Sequence, residues 1–120
     1  MQDLPPTFLA RLNRIIDENL HDEHFSIEKL RQELSISYTH TYRKIRRETG
    51  LSPSMYICKK RLEAACQLLE KTDLNIGEIA YKVGFNSQAY FTKCFSNRYN
   101  CPPKRYRNQL MLMKKEGKMK

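Results

Sequence analysis

The sequence predicts an all-α protein of about seven helices, built as two helix-turn-helix subdomains joined by a long linker helix. Three observations predict it. One helical pattern is written twice, about half a chain apart. Apolar residues recur at helical spacing. Only four Gly and five Pro occur, and the prolines stand at the edges of helical patterns, which favours helices over a sheet.

The first copy runs from Phe25 through Ser26-Ile27-Glu28-Lys29-Leu30, Leu34-Ser35-Ile36-Ser37 and Arg43-Lys44-Ile45 to Leu51-Ser52-Pro53 and Tyr56. The second runs from Leu74-Asn75-Ile76-Gly77-Glu78-Ile79 through Val83-Gly84-Phe85 and Lys93-Cys94-Phe95 to Cys101-Pro102-Pro103 and Tyr106. Leu30 and Ile79 are 49 residues apart, whereas Arg43 and Lys93 are 50 apart, so the second copy carries one extra residue in its turn. A repeat of this kind marks a supersecondary unit used twice.

Residues 1–24 form an N-terminal helix that packs on the first subdomain. It starts near Pro5–Pro6, where a missing N–H does no harm. Phe8, Leu9, Leu12, Ile15, Ile16 and Leu20 form its inner stripe. Asp17, Glu18 and Asp22 make its outer face acidic. Residues 25–51 are the first helix-turn-helix. Ser26 caps its first helix, Phe25 and Leu30 form a hydrophobic staple, and Ile27, Leu30 and Leu34 are buried. Ser37 caps the next helix, over about Tyr38–Glu48, with Thr41 and Ile45 inward and Gly50 as the left-handed stop. Residues 52–73 are the linker helix, capped by Ser52 with Pro53 in its first turn. Met55, Leu62, Ala65, Cys66 and Leu69 form its main stripe.

Residues 74–100 repeat the logic. Asn75 caps, Glu78 closes a capping box, and Leu74 with Ile79 forms the staple. Ile76, Ile79, Ala80 and Val83 are expected to be buried, and Gly84 to allow a turn at positive φ. The helix over about Ser87–Arg98 turns Phe91 and Phe95 inward. Asn100 takes the place of Gly50, since Asn tolerates the left-handed conformation. A last helix spans residues 101–111, and residues 112–120 are a frayed basic tail.

The net charge is +9, unevenly distributed. Residues 1–25 sum to −3, residues 26–50 to +3 and residues 101–120 to +6. Such an excess suits a polyanion. In a helix-turn-helix the second helix lies in the major groove and offers its early outward residues to base edges. Here these are Tyr38, Thr39, Tyr42 and Arg43 in the first copy, and Gln88, Ala89, Thr92 and Lys93 in the second. Arg and Lys suit guanine, Gln suits adenine, and Ala can pack on a thymine methyl. Phosphate contacts are expected from Ser37 and Ser87 with their helix N-termini, and from Lys44, Arg46, Arg47, Lys104 and Arg105, with Lys59 and Lys60 weaker candidates. Each of these, taken alone, is an ordinary surface residue. Their recurrence behind the same cap and staple favours double-stranded DNA as the partner.

Other classes fare worse. No Gly-rich phosphate loop, paired apolar-set carboxylates or catalytic His partner is present, so no enzyme and no cofactor are expected. Cys58, Cys66, Cys94 and Cys101 form no C-x-x-C pair, so reduced thiols are expected and no zinc site. His21-x-x-His24 reads as a surface or capping pair rather than a metal chelate. No secretory segment and no apolar run of about 18 residues occurs, so a cytoplasmic chain without a membrane role is expected. The alternative is a basic helical module that binds RNA or an acidic protein, distinguished by its lack of sequence-selective duplex binding.

At this point the chain resembles the AraC/XylS-type bacterial transcription regulators, over about residues 8–108. The resemblance rests on Ser26-Ile27-Glu28-Lys29-Leu30, Arg43 through Glu48-Thr49-Gly50, Leu51-Ser52-Pro53 with Tyr56, and Arg61-Leu62 with Ala65 and Leu68-Leu69. Its most specific part is the run from Ile79 to Phe91, with Phe95, Pro103 and Tyr106-Arg107. It implies seven helices and two recognition helices in successive major grooves. By matching positions it implies that Thr39, Tyr42 and Arg43 read one box, and Gln88, Ala89, Thr92 and Lys93 the other. RNA polymerase and a sensor or dimerisation domain outside this chain are implied partners. The run Thr41-Tyr42-Arg43-Lys44 resembles output domains of hybrid two-component regulators. Two positions depart from the pattern. Thr41 replaces a large apolar residue, which implies looser packing, and Lys93 replaces the more frequent Arg, which weakens bidentate contact.

Overall fold

The computed structural model describes residues 7–117. Among them are seven helices and no strand. These are α1 (Phe8–Asn19), α2 (Ile27–Leu34), α3 (Tyr38–Thr49), α4 (Pro53–Lys71), α5 (Ile76–Lys82), α6 (Gln88–Tyr99) and α7 (Pro103–Gly117). The chain divides into two compact units between Lys60 and Arg61, within α4.

In the first unit, α1 begins where Thr7 accepts a hydrogen bond from the Ala10 N–H at 3.1 Å. The expected start at Pro5–Pro6 lies outside the described residues. Helical spacing buries Leu12, Ile15 and Ile16 of α1 against Phe25, Leu30, Leu34, Ile45, Tyr56 and Ile57. The Tyr56 hydroxyl donates to Asn13 Oδ1, which ties α4 to α1. Ser26 stands at the N-cap of α2 but makes no side-chain cap bond. There Phe25 is buried and Ile27 only half-buried, so burial of Phe25 rather than the serine hydroxyl anchors this end.

The turn after α2 places Ser35 at φ +61°, a left-handed conformation that its sequence does not announce. The N–H groups of Ser35 and Ile36 donate to the Gln32 and Arg31 carbonyls, satisfying the helix end. Ser37 then caps α3 by accepting from the His40 N–H at 3.1 Å. Thr41 is fully buried, and its hydroxyl donates to the Ser37 carbonyl at 2.8 Å. The polar atom is therefore satisfied, and what the threonine gives up is volume.

Met55 does not lie on the buried stripe of α4, being 58% exposed. Pro53, Tyr56 and Ile57 set the buried face at the start of that helix, and at 100° per residue Met55 falls on the opposite side. In the second unit the stripe continues with Leu62, Ala65 and Leu69. Ile79, Ala80, Val83, Phe85, Phe91 and Phe95 are buried in the same unit. Ile76, expected inside, is half-buried at the first position of α5. The aromatic rings form a chain. Phe91 lies 5.2 Å from Phe85 and 5.8 Å from Phe95, and Phe95 meets Tyr106 edge-on at 5.3 Å.

The Asn75–Glu78 capping box forms in both directions, at 2.8 and 2.9 Å. Gly84 is buried at φ +95°, where an L side chain is strained, and its carbonyl accepts from Arg61 Nη1 at 2.6 Å. Arg61 thus pins the α5–α6 turn to α4. A second arginine closes the other end of the unit. Arg107 of α7 donates from Nε to the Leu69 carbonyl, from Nη1 to Leu74 and from Nη2 to Thr72, at 3.0, 2.7 and 3.1 Å. These carbonyls are the orphan acceptors at the α4 C-terminus and in the loop beyond it. The last helix runs on to Gly117, past the expected stop at residue 111, and Lys114 in this added stretch reaches back to the Glu70 carbonyl at 3.2 Å. Of the expected basic tail, residues 112–117 are helical, and Lys118–Lys120 lie outside the described residues.

Replacing Arg107 by Ala leaves three carbonyls without their shared donor. The expected loss is about 2–3 kcal/mol, read by urea denaturation, with Arg107→Lys recovering little of it. Alkaline pH gives a second check. A hydrogen bond with Cys66, then burial, pushes the Tyr106 phenol up to about 12. Burial first, then Cys66, lifts the Tyr99 phenol in the same direction. Unfolded tyrosines ionise near 10, so the folded state binds the proton more tightly. Their contribution to stability is therefore fully present below about pH 10 and is lost as pH rises toward 12. Melting temperatures at pH 9 and pH 11 should differ, and the difference should shrink in a Tyr106→Phe variant.

Candidate nucleic-acid interface

Each helix-turn-helix fixes its second helix by two buried positions four residues apart. In α3 these are Thr41 and Ile45, and in α6 Phe91 and Phe95. With the inner face held, helical geometry turns the intervening residues outward. On α3, Tyr38 is 50% and Tyr42 39% exposed, and Thr39, Arg43, Arg46 and Arg47 are exposed beside them. Among the described residues, the ion pairs join Lys29 to Asp22, Arg31 to Glu28, Lys60 to Asp17 and Lys114 to Glu70. Arg43, Arg46 and Arg47 take part in none of these. Among the described residues no acidic side chain forms an ion pair with them, which leaves their charge available to a polyanion.

Two expected phosphate ligands sit differently. Lys44 is half-buried, its ammonium 5.0 Å from the centre of the Phe8 ring on α1. The weaker candidate Lys60 is committed to Asp17 at 3.7 Å. Ser37 and Ser87 both serve as N-caps, Ser87 accepting from the Tyr90 N–H at 3.1 Å. Their hydroxyl oxygens are thus occupied as acceptors.

On α6, Gln88, Ala89 and Lys93 are exposed and Thr92 is half-buried. The outward face continues to Asn97, one turn beyond Lys93. On α3, His40 lies one turn before Arg43 and Lys44 and is also exposed. Neither residue was singled out from the sequence, although the spacing of three or four from Arg43 and Lys93 carries the signal. Tyr90 is 54% exposed, its ring 5.9 Å from Phe85. Gln88 does not stand alone. It lines a cleft with Asn75, Ile76, Gly77, Lys104, Arg107 and Asn108, which brings Lys104 of α7 beside the start of α6. Arg105 is exposed next to it. Among the described residues no group of three or more His, Cys, Asp or Glu side chains could hold a metal ion. No helix there is long and apolar enough to cross a membrane.

The chain matches the family described as a helix-turn-helix domain over residues 30–109, two thirds of its length. It is 39% identical over 101 residues to "Histidine kinase P4" of Formosa agariphila, covering 84% of this chain and 7% of that protein. It is 36% identical over 90 residues to the "HTH-type transcriptional activator RhaS" of Mannheimia succiniciproducens, covering 75% of this chain and 34% of that one. The chain therefore spans less than a tenth of the first relative and about a third of the second. Among solved structures, it resembles the DNA-binding domain of AdpA, a global transcriptional factor, in complex with a target DNA. The TM-score is 0.78 at 29% identity, over 84% of this chain and 90% of that one. The matched span, the paired helix-turn-helix units and the cationic outer face of α3 agree, and the chain belongs to the AraC-type helix-turn-helix domains, which are DNA-binding domains of transcription regulators.

Proposed function

We propose that this chain reads a bipartite operator in double-stranded DNA, with α3 in one major groove and α6 in the next, about one helical turn (~34 Å) along. The observation that carries this reading is the shared construction of the two helices. Each is capped by a serine, held by two buried positions four residues apart, and lined outward with polar or cationic groups. In this reading Tyr38, Thr39, Tyr42 and Arg43 contact the bases of one box, and Gln88, Ala89, Thr92 and Lys93 those of the other. Arg46, Arg47, Lys104 and Arg105, with the N-termini behind Ser37 and Ser87, hold the backbone.

The histidine-kinase relative supports a further step. Similarity over a small part of a protein named as a histidine kinase fits an output domain of a hybrid two-component regulator acting in the cytoplasm. The activator relative supports recruitment of RNA polymerase as the downstream event.

Selection of the chain against a random duplex library at near-physiological salt tests the central claim. Two enriched boxes about one turn apart support it, whereas purely salt-sensitive binding without enrichment points to the interaction-module reading. Arg43→Ala should lower specific affinity about fivefold or more and relax preference in one box alone. An equal loss on every sequence would remove Arg43 from the base-reading set. Arg46→Ala should weaken binding on all sequences and reduce the slope of log affinity against log salt by about 1. An unchanged slope would remove Arg46 from the phosphate contacts.

A further inference from the structure

Gln88 opens α6, and its side chain lies against α5. A Cβ built on Gly77 would stand 2.8 Å from Gln88 Oε1, 3.4 Å from Asn75 Oδ1 and 3.7 Å from Gln88 Cδ. Gly77 is not at positive φ, where only Gly50 and Gly84 lie among the glycines. Its backbone therefore has no need of glycine, and a glycine inside a helix is a destabilising choice. What the missing side chain supplies is room for the end of Gln88.

We infer that Gly77, which touches no base, is a specificity-determining residue, because it gives Gln88 a resting place on α5 that competes with the major groove. The inference rests on the proposed base reading by Gln88. A glutamine reads adenine with both ends of its amide, the oxygen accepting from N6 and the nitrogen donating to N7. With Oε1 over Gly77 that fork is not available. Gln88 reads only after leaving α5, so its contribution is reduced by the fraction of time it rests there. The first copy has no such arrangement. At the position equivalent to Gly77 stands Glu28, whose carboxylate is engaged by Arg31 and Gln32.

A methyl group at position 77 displaces the far end of a flexible side chain rather than backbone, so the helices keep their places. Gly77→Ala should therefore raise the melting temperature, as Gly→Ala does in a helix with compatible φ. It should also strengthen the preference for adenine at one position of one box by about two- to tenfold, since removing the resting state restores the competent fraction.

The test compares wild type, Gly77→Ala, Gln88→Ala and the double variant. Each is selected on the same random duplex library and then titrated with duplexes differing at the single affected base pair. Thermal melts confirm that all four are folded. The expected result is sharpened adenine preference in Gly77→Ala, lost preference in Gln88→Ala, and a double variant indistinguishable from Gln88→Ala. If Gln88→Ala shifts one position but Gly77→Ala matches wild type, the inference fails and the base-reading assignment stands. A Gly77→Ala effect spread over both boxes, or persisting in the double variant, also overturns the inference. If Gln88→Ala leaves the profile unchanged, Gln88 is not a base reader, and both the assignment and the inference fall.

Discussion

The structure depends on how little of α3 and α6 is buried. A pair of side chains four residues apart, Thr41 and Ile45 on α3 and Phe91 and Phe95 on α6, is all that is fully buried from these helices. That narrow contact leaves most of the circumference outside, where a duplex can meet it. It also makes orientation sensitive to the few groups that hold each helix. A rotation of one residue would turn Arg43 or Lys93 by about 100° from its outward direction. The serine caps, the left-handed C-caps and the buried pairs act together to prevent that rotation.

The two units meet this demand with different chemistry. In the first, an apolar core closes over a threonine whose hydroxyl is satisfied within its own helix. In the second, a chain of aromatic rings fills the core, and two arginines fasten loops by donating to backbone carbonyls. A guanidinium suits this task because its fork reaches several acceptors at fixed angles, which a lysine cannot do. The outer faces differ too. On α3, Arg43, Arg46 and Arg47 are exposed, whereas the corresponding positions of α6 carry Lys93, Ser96 and Asn97. The outer face of α3 is thus strongly cationic, whereas the matching face of α6 carries one cation among neutral polar groups.

Most of the local structure was legible because short-range rules control it. The repeat, the apolar spacing, Ser37 and Ser87 as caps, the Asn75–Glu78 box and the left-handed Gly50, Gly84 and Asn100 all follow from backbone chemistry within a few residues. The outward placement of the candidate base-reading residues follows from the same periodicity. The sequence is less decisive where several apolar residues compete for one helix face. Met55 has the spacing of a core residue, yet its neighbours Pro53, Tyr56 and Ile57 take the buried side of α4. The last helix continues past residue 111, where Lys114 meets an acceptor 44 residues away.

The sequence by itself determined the fold class, the duplication and the outward faces of α3 and α6, because periodicity, capping and charge are properties of neighbouring residues. Tertiary structure alone decided which polar groups are engaged inside the protein. Arg61 and Arg107 look like any basic residue until the carbonyls of Gly84, Leu69, Thr72 and Leu74 are brought to them. Lys44 looks like any exposed lysine until Phe8 is brought within 5.0 Å of its ammonium. Gln88 looks like a simple extension toward DNA until the empty space at Gly77 is seen beside it. Each of these outcomes depends on a contact between segments distant in sequence, and no local pattern encodes the meeting.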